Sequence, residues 1–244
     1  MMDDQALPPI TPPAPARRSL FRRLTGLVTR AILLFLVGSV LWVGVYRFVP
    51  PPITLTMIGG AMEGHGLSKD WMSLSAMSPN MARAAIAAED SRFCAHHGFD
   101  FQAIEQAAKR NANGKRLRGG STISQQTAKN VFLWQGRSWV RKGLEAWFTV
   151  LIETLWGKRR IMEMYLNVAE TGIGTYGANA GAMRYFRHDA STLSTGEAAR
   201  IAAILPLPKK RAAIDPSGFT RRYGNNIAAR TGVVRRDALD ACLR

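Results

Sequence analysis

The chain is short of acid, of cysteine and of the common metal and nucleotide motifs. Its 17 Asp and Glu stand against 33 Lys and Arg, a formal charge of +16 over 244 residues. That imbalance points to anionic partners: nucleic acid, anionic lipid head groups or a phosphorylated substrate. Two cysteines, Cys94 and Cys242, are too few and too far apart for a disulfide scaffold or a cysteine-ligated zinc site. The four histidines, His65, His96, His97 and His188, form no His-Glu-x-x-His pattern, which argues against a zinc hydrolase of that kind. There is no internal repeat and no sustained strand-like alternation. What is present, 47% apolar and 20% charged residues, can bury a core and suits one domain with attachments.

The first fifty residues read as a membrane anchor. Residues 1–23 form a Pro-rich, basic tail, followed by an apolar span over 24–49. Arg17, Arg18, Arg22, Arg23 and Arg30 precede an uncharged run from Ala31 to Tyr46. That run is slightly below the roughly 20 residues a span needs, but Leu24 to Val28 extends it, and Arg30 and Arg47 can snorkel. Trp42 and Tyr46 sit near its outer end, where amphipathic rings favour the boundary. A cleaved signal peptide is the rival reading; Arg47-Phe48-Val49 and three prolines, rather than a small-x-small site, follow the run. The arginine cluster predicts a cytoplasmic N-terminus, with residues 50–244 outside. Beyond residue 50 there remain 27 basic and 15 acidic residues, so the outer domain is itself basic. In that compartment phosphate or a membrane surface is the expected partner, and nucleic acid is not.

After a stiff Pro50-Pro51-Pro52 spacer, Ile53 to Ile58 reads as a short strand ended by Gly59-Gly60. The later signals are helical. Ser78-Pro79 supplies an N-cap and a first-turn proline for a helix to about Glu89. Asp100 caps a second, fading at Asn113-Gly114. Ser138 opens a long one that Gly157 stops, and Ser194 with Glu197 forms a capping box. The predicted fold class is mainly α, with at most a small hairpin.

Four segments carry more polar chemistry than packing requires. In Glu89-Asp90-Ser91-Arg92-Phe93-Cys94-Ala95-His96-His97-Gly98, a carboxylate ends an Ala-rich helix, where the macrodipole opposes negative charge. Asp90 adds like-charge pressure, and both effects push Glu89 toward proton-transfer duty. A solvated helix end paired to Arg92 is equally compatible with the spacing. Arg118-Gly119-Gly120-Ser121-Thr122-Ile123-Ser124-Gln125-Gln126-Thr127-Ala128-Lys129-Asn130 offers close backbone approach and N–H groups near a helix start, which suit a diphosphate. It is not a Walker A loop, and an ordinary Gly turn with a capped helix also fits. Between Arg137 and Glu145, Glu145 falls about a quarter turn from the apolar face; a plain i,i+4 pair with Arg141 is the simpler alternative. Lys158 to Asn167 reads as a structural helix with Met, Tyr and Leu turned inward.

In combination these segments resemble the peptidoglycan glycosyltransferase family. The resemblance rests on Glu-Asp-x-x-Phe-x-x-His-x-Gly at 89–98, Gly-Gly-Ser-Thr-Ile-Ser-Gln-Gln at 119–126 and Lys129-Asn130. Arg141-Lys142 with Glu145, Glu163-x-Tyr-Leu-Asn at 163–167 and Tyr185-Phe186 continue it in family order. It covers roughly residues 75–216 and includes no Ser-x-x-Lys of a fused transpeptidase, so it points to the monofunctional, membrane-anchored branch. The resemblance implies a lysozyme-like, mostly helical domain with a large and a small lobe around a cleft. It also implies polymerisation of lipid II into β-1,4-linked glycan, with inversion at the donor carbon and release of undecaprenyl diphosphate.

By the same resemblance Glu89 is the general base, and Glu145 organises the diphosphate site or a divalent cation, magnesium or manganese. Lys129 and Arg137 meet the leaving diphosphate, with Lys209 as a further phosphate-side cation. Asp90, Phe93, His96, Gly120, Ser121, Thr122, Gln125, Gln126, Asn130 and Arg141 complete the implied substrate site. Implied partners are lipid II, the growing strand, membrane lipids and other cell-wall synthases, at the cytoplasmic membrane of a bacterium with the domain in the periplasm. Trp134 and Phe132 are candidates to dip into the bilayer, Phe132 equally a core residue. Cys94 is expected to be a free, packed thiol. Two other readings of the same residues are a membrane-bound muramidase and a basic, non-enzymatic scaffold.

Overall fold

The computed structural model describes residues 20–112, 120–136 and 138–244. The tail through residue 19, Arg118, Gly119 and Arg137 therefore lie outside the described residues. Contacts divide the chain into a unit ending at Val40 and a compact unit from Leu41 to Arg244.

The apolar run is one helix, α1, from Leu20 to Phe48, 29 residues or about 44 Å at the helical rise. Phe21–Phe48 has a mean hydropathy of 2.1, and its side chains are largely exposed, as suits a segment long and apolar enough to cross a membrane. It begins a turn earlier than the expected span, because Arg22 and Arg23 continue the helix rather than preceding it.

The second unit is built from short, locally specified helices. Thr54 caps α2 (Leu55–Met62), its hydroxyl accepting from the Met57 N–H at 3.3 Å. This corrects the expected strand at 53–58: the cap starts a helical turn that places Thr56 and Met57 inward. Pro79–Glu89 forms α3, capped by Ser78; α4 runs from Phe101 to Ala112, with the Asp100 carboxylate accepting from the Ala103 N–H. Ile123–Phe132 forms α5, Trp139–Leu155 forms α6 and Gly157–Val168 forms α7. Ala178–Phe186 (α8), Thr195–Ile204 (α9) and Gly218–Arg236 (α10) follow. The caps at Ser78, Asp100, Ser138 and Ser194 lie where the sequence placed them.

Strands are minimal. Ser68–Lys69 (β1), Glu170–Gly172 (β2) and Thr175–Tyr176 (β3) form a sheet of order β1-β3-β2, with β2 and β3 as an antiparallel hairpin and β1 parallel to β3. Gly174 at the hairpin tip has φ +65°, and a Cβ there would lie 1.9 Å from the His65 carbonyl oxygen, so the turn admits no larger residue.

Two helix groups share the core. In one, α3 packs on α9 and α10, burying Met81, Ile86, Ile201, Ile227 and Val234; in the other, α5 packs on α6 and α7. Phe132 belongs to the second group: its ring stacks on Phe148 at 4.6 Å and meets Trp42 edge-on at 5.3 Å. Of the two bilayer candidates only Trp134 is exposed.

The cysteine expectation is corrected outright. Cys94 and Cys242 are disulfide-bonded, with Cα atoms 5.5 Å apart. The last residues fold back behind the first motif, held by Arg83 to Asp240 at 2.8 Å and Arg159 to the Leu243 carbonyl at 2.6 Å. That return brings together two residues 148 positions apart, which sequence separation could not reveal.

Candidate functional site

The site forms where α3 ends beside the start of α5. Helix α3 has no acid in its first turn and ends on Glu89, so its one carboxylate sits at the electrostatically unfavourable terminus. Burial comes first in pushing the Glu89 carboxyl above the usual glutamate range, and Asp90 adds to it. Opposing them are a hydrogen bond from Gln126 Nε2 to Glu89 Oε2 at 2.9 Å and the charges of Arg211 and Lys129. Glu89 thus combines a raised proton affinity with, among the described residues, a single neutral hydrogen-bond partner. It opens on a cavity of about 100 Å³ lined also by Ser91, Gly120, Ser121 and Thr122. A second cavity of about 350 Å³ lies past Gly120 and Ser121, bounded by Ile104, Gln125 and Lys142.

Asp90 also lines the smaller cavity, but its carboxylate is committed to the protein. His96 Nε2 lies 3.0 Å from each Asp90 oxygen, and Asp90 Oδ2 accepts the Ile123 N–H at 3.0 Å. Thr122 caps α5 reciprocally with Gln125 and donates to the Gly98 carbonyl at 2.6 Å. Of the N–H groups near the α5 start that were expected to receive a diphosphate, those of Ile123 and Gln125 are thus engaged by the protein itself. Gly98 has φ +89°, and a Cβ there would meet Thr149 at 2.8 Å, which accounts for glycine at the end of the first motif. Phe93 is 0% exposed, with Lys158 over its ring at 4.6 Å, so it supports the loop from within the core. Asn130 is buried on α5, while Gly120 and Ser121 line both cavities.

Lys129 is the cation of the α5 face. It is partly exposed, and among the described residues no carboxylate lies within ion-pair distance of it. Burial holds its ammonium below the usual lysine value; Arg141 and Lys142 add to this, and Glu145 and Glu89 oppose it. Glu145 is 3% exposed rather than on the helix flank. Its Oε2 accepts from Arg141 at 3.0 Å, and Lys142 pairs with its other oxygen. With both oxygens held by cations, and no group of three His, Cys, Asp or Glu suited to a metal among the described residues, the donor set does not fit a divalent ion.

Lys209 lies elsewhere. It is exposed and donates to Glu63 and His65, at 3.2 Å each, beside a cavity of about 180 Å³ lined by Glu170 and Tyr176. The cation of this segment whose charge favours the ionised form of Glu89 is Arg211. The run Lys209-Lys210-Arg211 advertised positive charge but not which member would turn inward. The Glu163-x-Tyr-Leu-Asn segment is structural as read: Glu163 accepts the Leu74 N–H, and Asn167 bridges the Met72 N–H and carbonyl at 2.9 Å each.

Residues 57–231 match the family model described as transglycosylase. The chain is 52% identical over 226 residues to a biosynthetic peptidoglycan transglycosylase of Caulobacter vibrioides, covering 93% of this chain and 99% of the relative. A protein of the same description from Pseudomonas aeruginosa is 50% identical over 211 residues, covering 84% and 89%. One from Xanthomonas campestris is 51% identical over 218 residues, covering 86% and 87%.

Proposed function

The chain belongs to the transglycosylase family and is a glycosyltransferase, and on that premise we propose that it polymerises lipid II into peptidoglycan strands from a single-pass membrane anchor. The observation that carries the proposal is a carboxyl raised by burial, Glu89 at the end of α3, together with Lys129 on α5, which among the described residues has no carboxylate within ion-pair distance. Extending a glycan from a lipid diphosphate needs a base for the acceptor hydroxyl and positive charge for the leaving group.

Glu89 takes the proton from the 4-OH of the acceptor N-acetylglucosamine as that oxygen attacks the donor's anomeric carbon. The new β-1,4 bond forms opposite the departing diphosphate, which inverts the α configuration. Gln126 orients the base through its hydrogen bond to Oε2. Lys129, with Arg137, stabilises charge growing on undecaprenyl diphosphate. Glu145 holds Arg141 and Lys142 in place next to Lys129 and keeps that wall positive without a metal step. The apolar α1 holds the domain at the bilayer where both substrates are anchored, on the outer side of the cytoplasmic membrane, given the arginines at its N-terminal end.

The test is polymerisation of purified lipid II by the full chain in detergent, with products sized on a gel. Long strands are expected. Absence of strands, together with cleavage of preformed glycan, would replace the proposal with a muramidase.

A further inference from the structure

Arg211 is a charged side chain whose placement the mechanism above leaves unused. It lies on the segment after α9, where its Nη1 donates to the Ala203 carbonyl in the last turn of that helix at 2.6 Å. Its guanidinium also covers two aromatic faces of α10, with Cζ 5.2 Å from the Phe219 centroid and 5.4 Å from that of Tyr223. Tyr223 in turn reaches α3, its hydroxyl donating to the Ala88 carbonyl at 3.2 Å, one residue before Glu89. Among the described residues Arg211 has no carboxylate within ion-pair distance. A guanidinium fixed by a carbonyl and two rings has lost its rotamer freedom but keeps its full charge for a nearby carboxylate.

We propose that Arg211 is a positioning residue for the base: held by Ala203, Phe219 and Tyr223, it sustains the ionised form of Glu89 from the α9–α10 side, opposite Lys129. The groups around Glu89 fit this division. Asp90 on its own segment opposes ionisation, Lys129 on α5 favours it, and Gln126 donates a neutral hydrogen bond. The hydroxyls of Tyr165 on α7 and Tyr223 on α10 complete the surroundings, and burial pushes Tyr165 well above the ordinary tyrosine range. Arg211 is thus the favourable charge on the side away from the diphosphate cations. Since Lys129 is to be engaged by the leaving group during turnover, a second cation that is not consumed by substrate keeps the base ready.

The inference rests on the role proposed for Glu89, so its test includes a readout that needs no turnover. In the full chain, with glutamate side-chain carboxyls labelled with ¹³C and the Glu89 signal assigned from its loss in Glu89→Gln, the Glu89 midpoint is measured by NMR titration. Arg211→Gln is expected to move that midpoint upward and Arg211→Lys to return it toward wild type. Phe219→Leu, at a residue 55% exposed and therefore tolerant of change, is expected to give a smaller upward movement. If Arg211→Gln fails to fold, the Phe219→Leu and Arg211→Lys pair decides. In the polymerisation assay the acid limb of kcat/KM should follow the same order. An unmoved Glu89 midpoint in folded variants overturns the proposal, as does a rise in KM with an unmoved acid limb, which would make Arg211 a substrate-phosphate ligand. Failure of polymerisation by wild type would count against the proposed function while leaving the titration result standing.

Discussion

Two carboxylates, one on α3 and one on α6, meet opposite fates. Glu145, inside the long α6, is buried and satisfied by Arg141 and Lys142 on its own helix. Glu89, at the very end of α3, has one neutral donor and faces a cavity. Everything behind Glu89 is tied down instead: Asp90 holds His96 and the start of α5, and Cys94 is bonded to Cys242. Rigid surroundings around an under-solvated acid suit reactivity, whereas full satisfaction suits architecture. Acid residues that look alike in sequence are separated by what their immediate neighbours supply.

Several substitutions would break or sharpen that contrast. The largest stability effect is expected at Glu145, because Glu145→Ala leaves Arg141 buried without its partner. Breaking such a pair costs about 3–5 kcal/mol, read as a fall in the unfolding midpoint. A loss below about 1 kcal/mol would place Glu145 among ordinary surface pairs. Cys94→Ser removes a cross-link between residues 148 apart and should cost about 2–5 kcal/mol. It should also lower turnover at temperatures where the protein is still folded, since the loop behind Glu89 loosens; unchanged activity and stability would make the bond incidental. Ser138→Ala removes the hydroxyl that accepts the Arg141 N–H at 3.1 Å, for about 1 kcal/mol.

The smallest effect has the opposite sign. Above the ordinary glutamate value of 4.5 the unfolded chain ionises Glu89 while the folded chain holds the proton, so a penalty grows with pH and is complete once pH exceeds the raised folded-state value. Glu89→Gln removes that penalty. It should therefore stabilise the fold at neutral pH, with the gain shrinking as pH falls toward 4.5, in unfolding curves collected across pH.

Much of this architecture was legible because helix starts are local events. Ser78, Asp100, Ser138 and the Ser194–Glu197 box each announce themselves within four residues, and each caps the helix expected of it. The identities of Glu89, Gln126 and Lys129 were legible as a motif series, and the structure sets Gln126 of α5 in hydrogen bond to Glu89 at the end of α3. Long-range events were not legible. Nothing near Cys94 signals Cys242, nothing in Lys209-Lys210-Arg211 says which cation's charge favours ionised Glu89, and the engagement of the Ile123 N–H depends on Asp90, more than thirty residues earlier. At 53–58 the alternation suggested a strand, and a side-chain cap from Thr54 with burial of Met57 decided for a helix.

The most direct test of the account is to measure turnover and folding stability on the same preparation of Glu89→Gln. The account predicts that lipid II polymerisation falls by about 10²–10⁴-fold, the usual weight of a positioned general base, while the unfolding midpoint stays level or rises. Near-normal turnover, or a loss of turnover matched by a loss of stability, would contradict it.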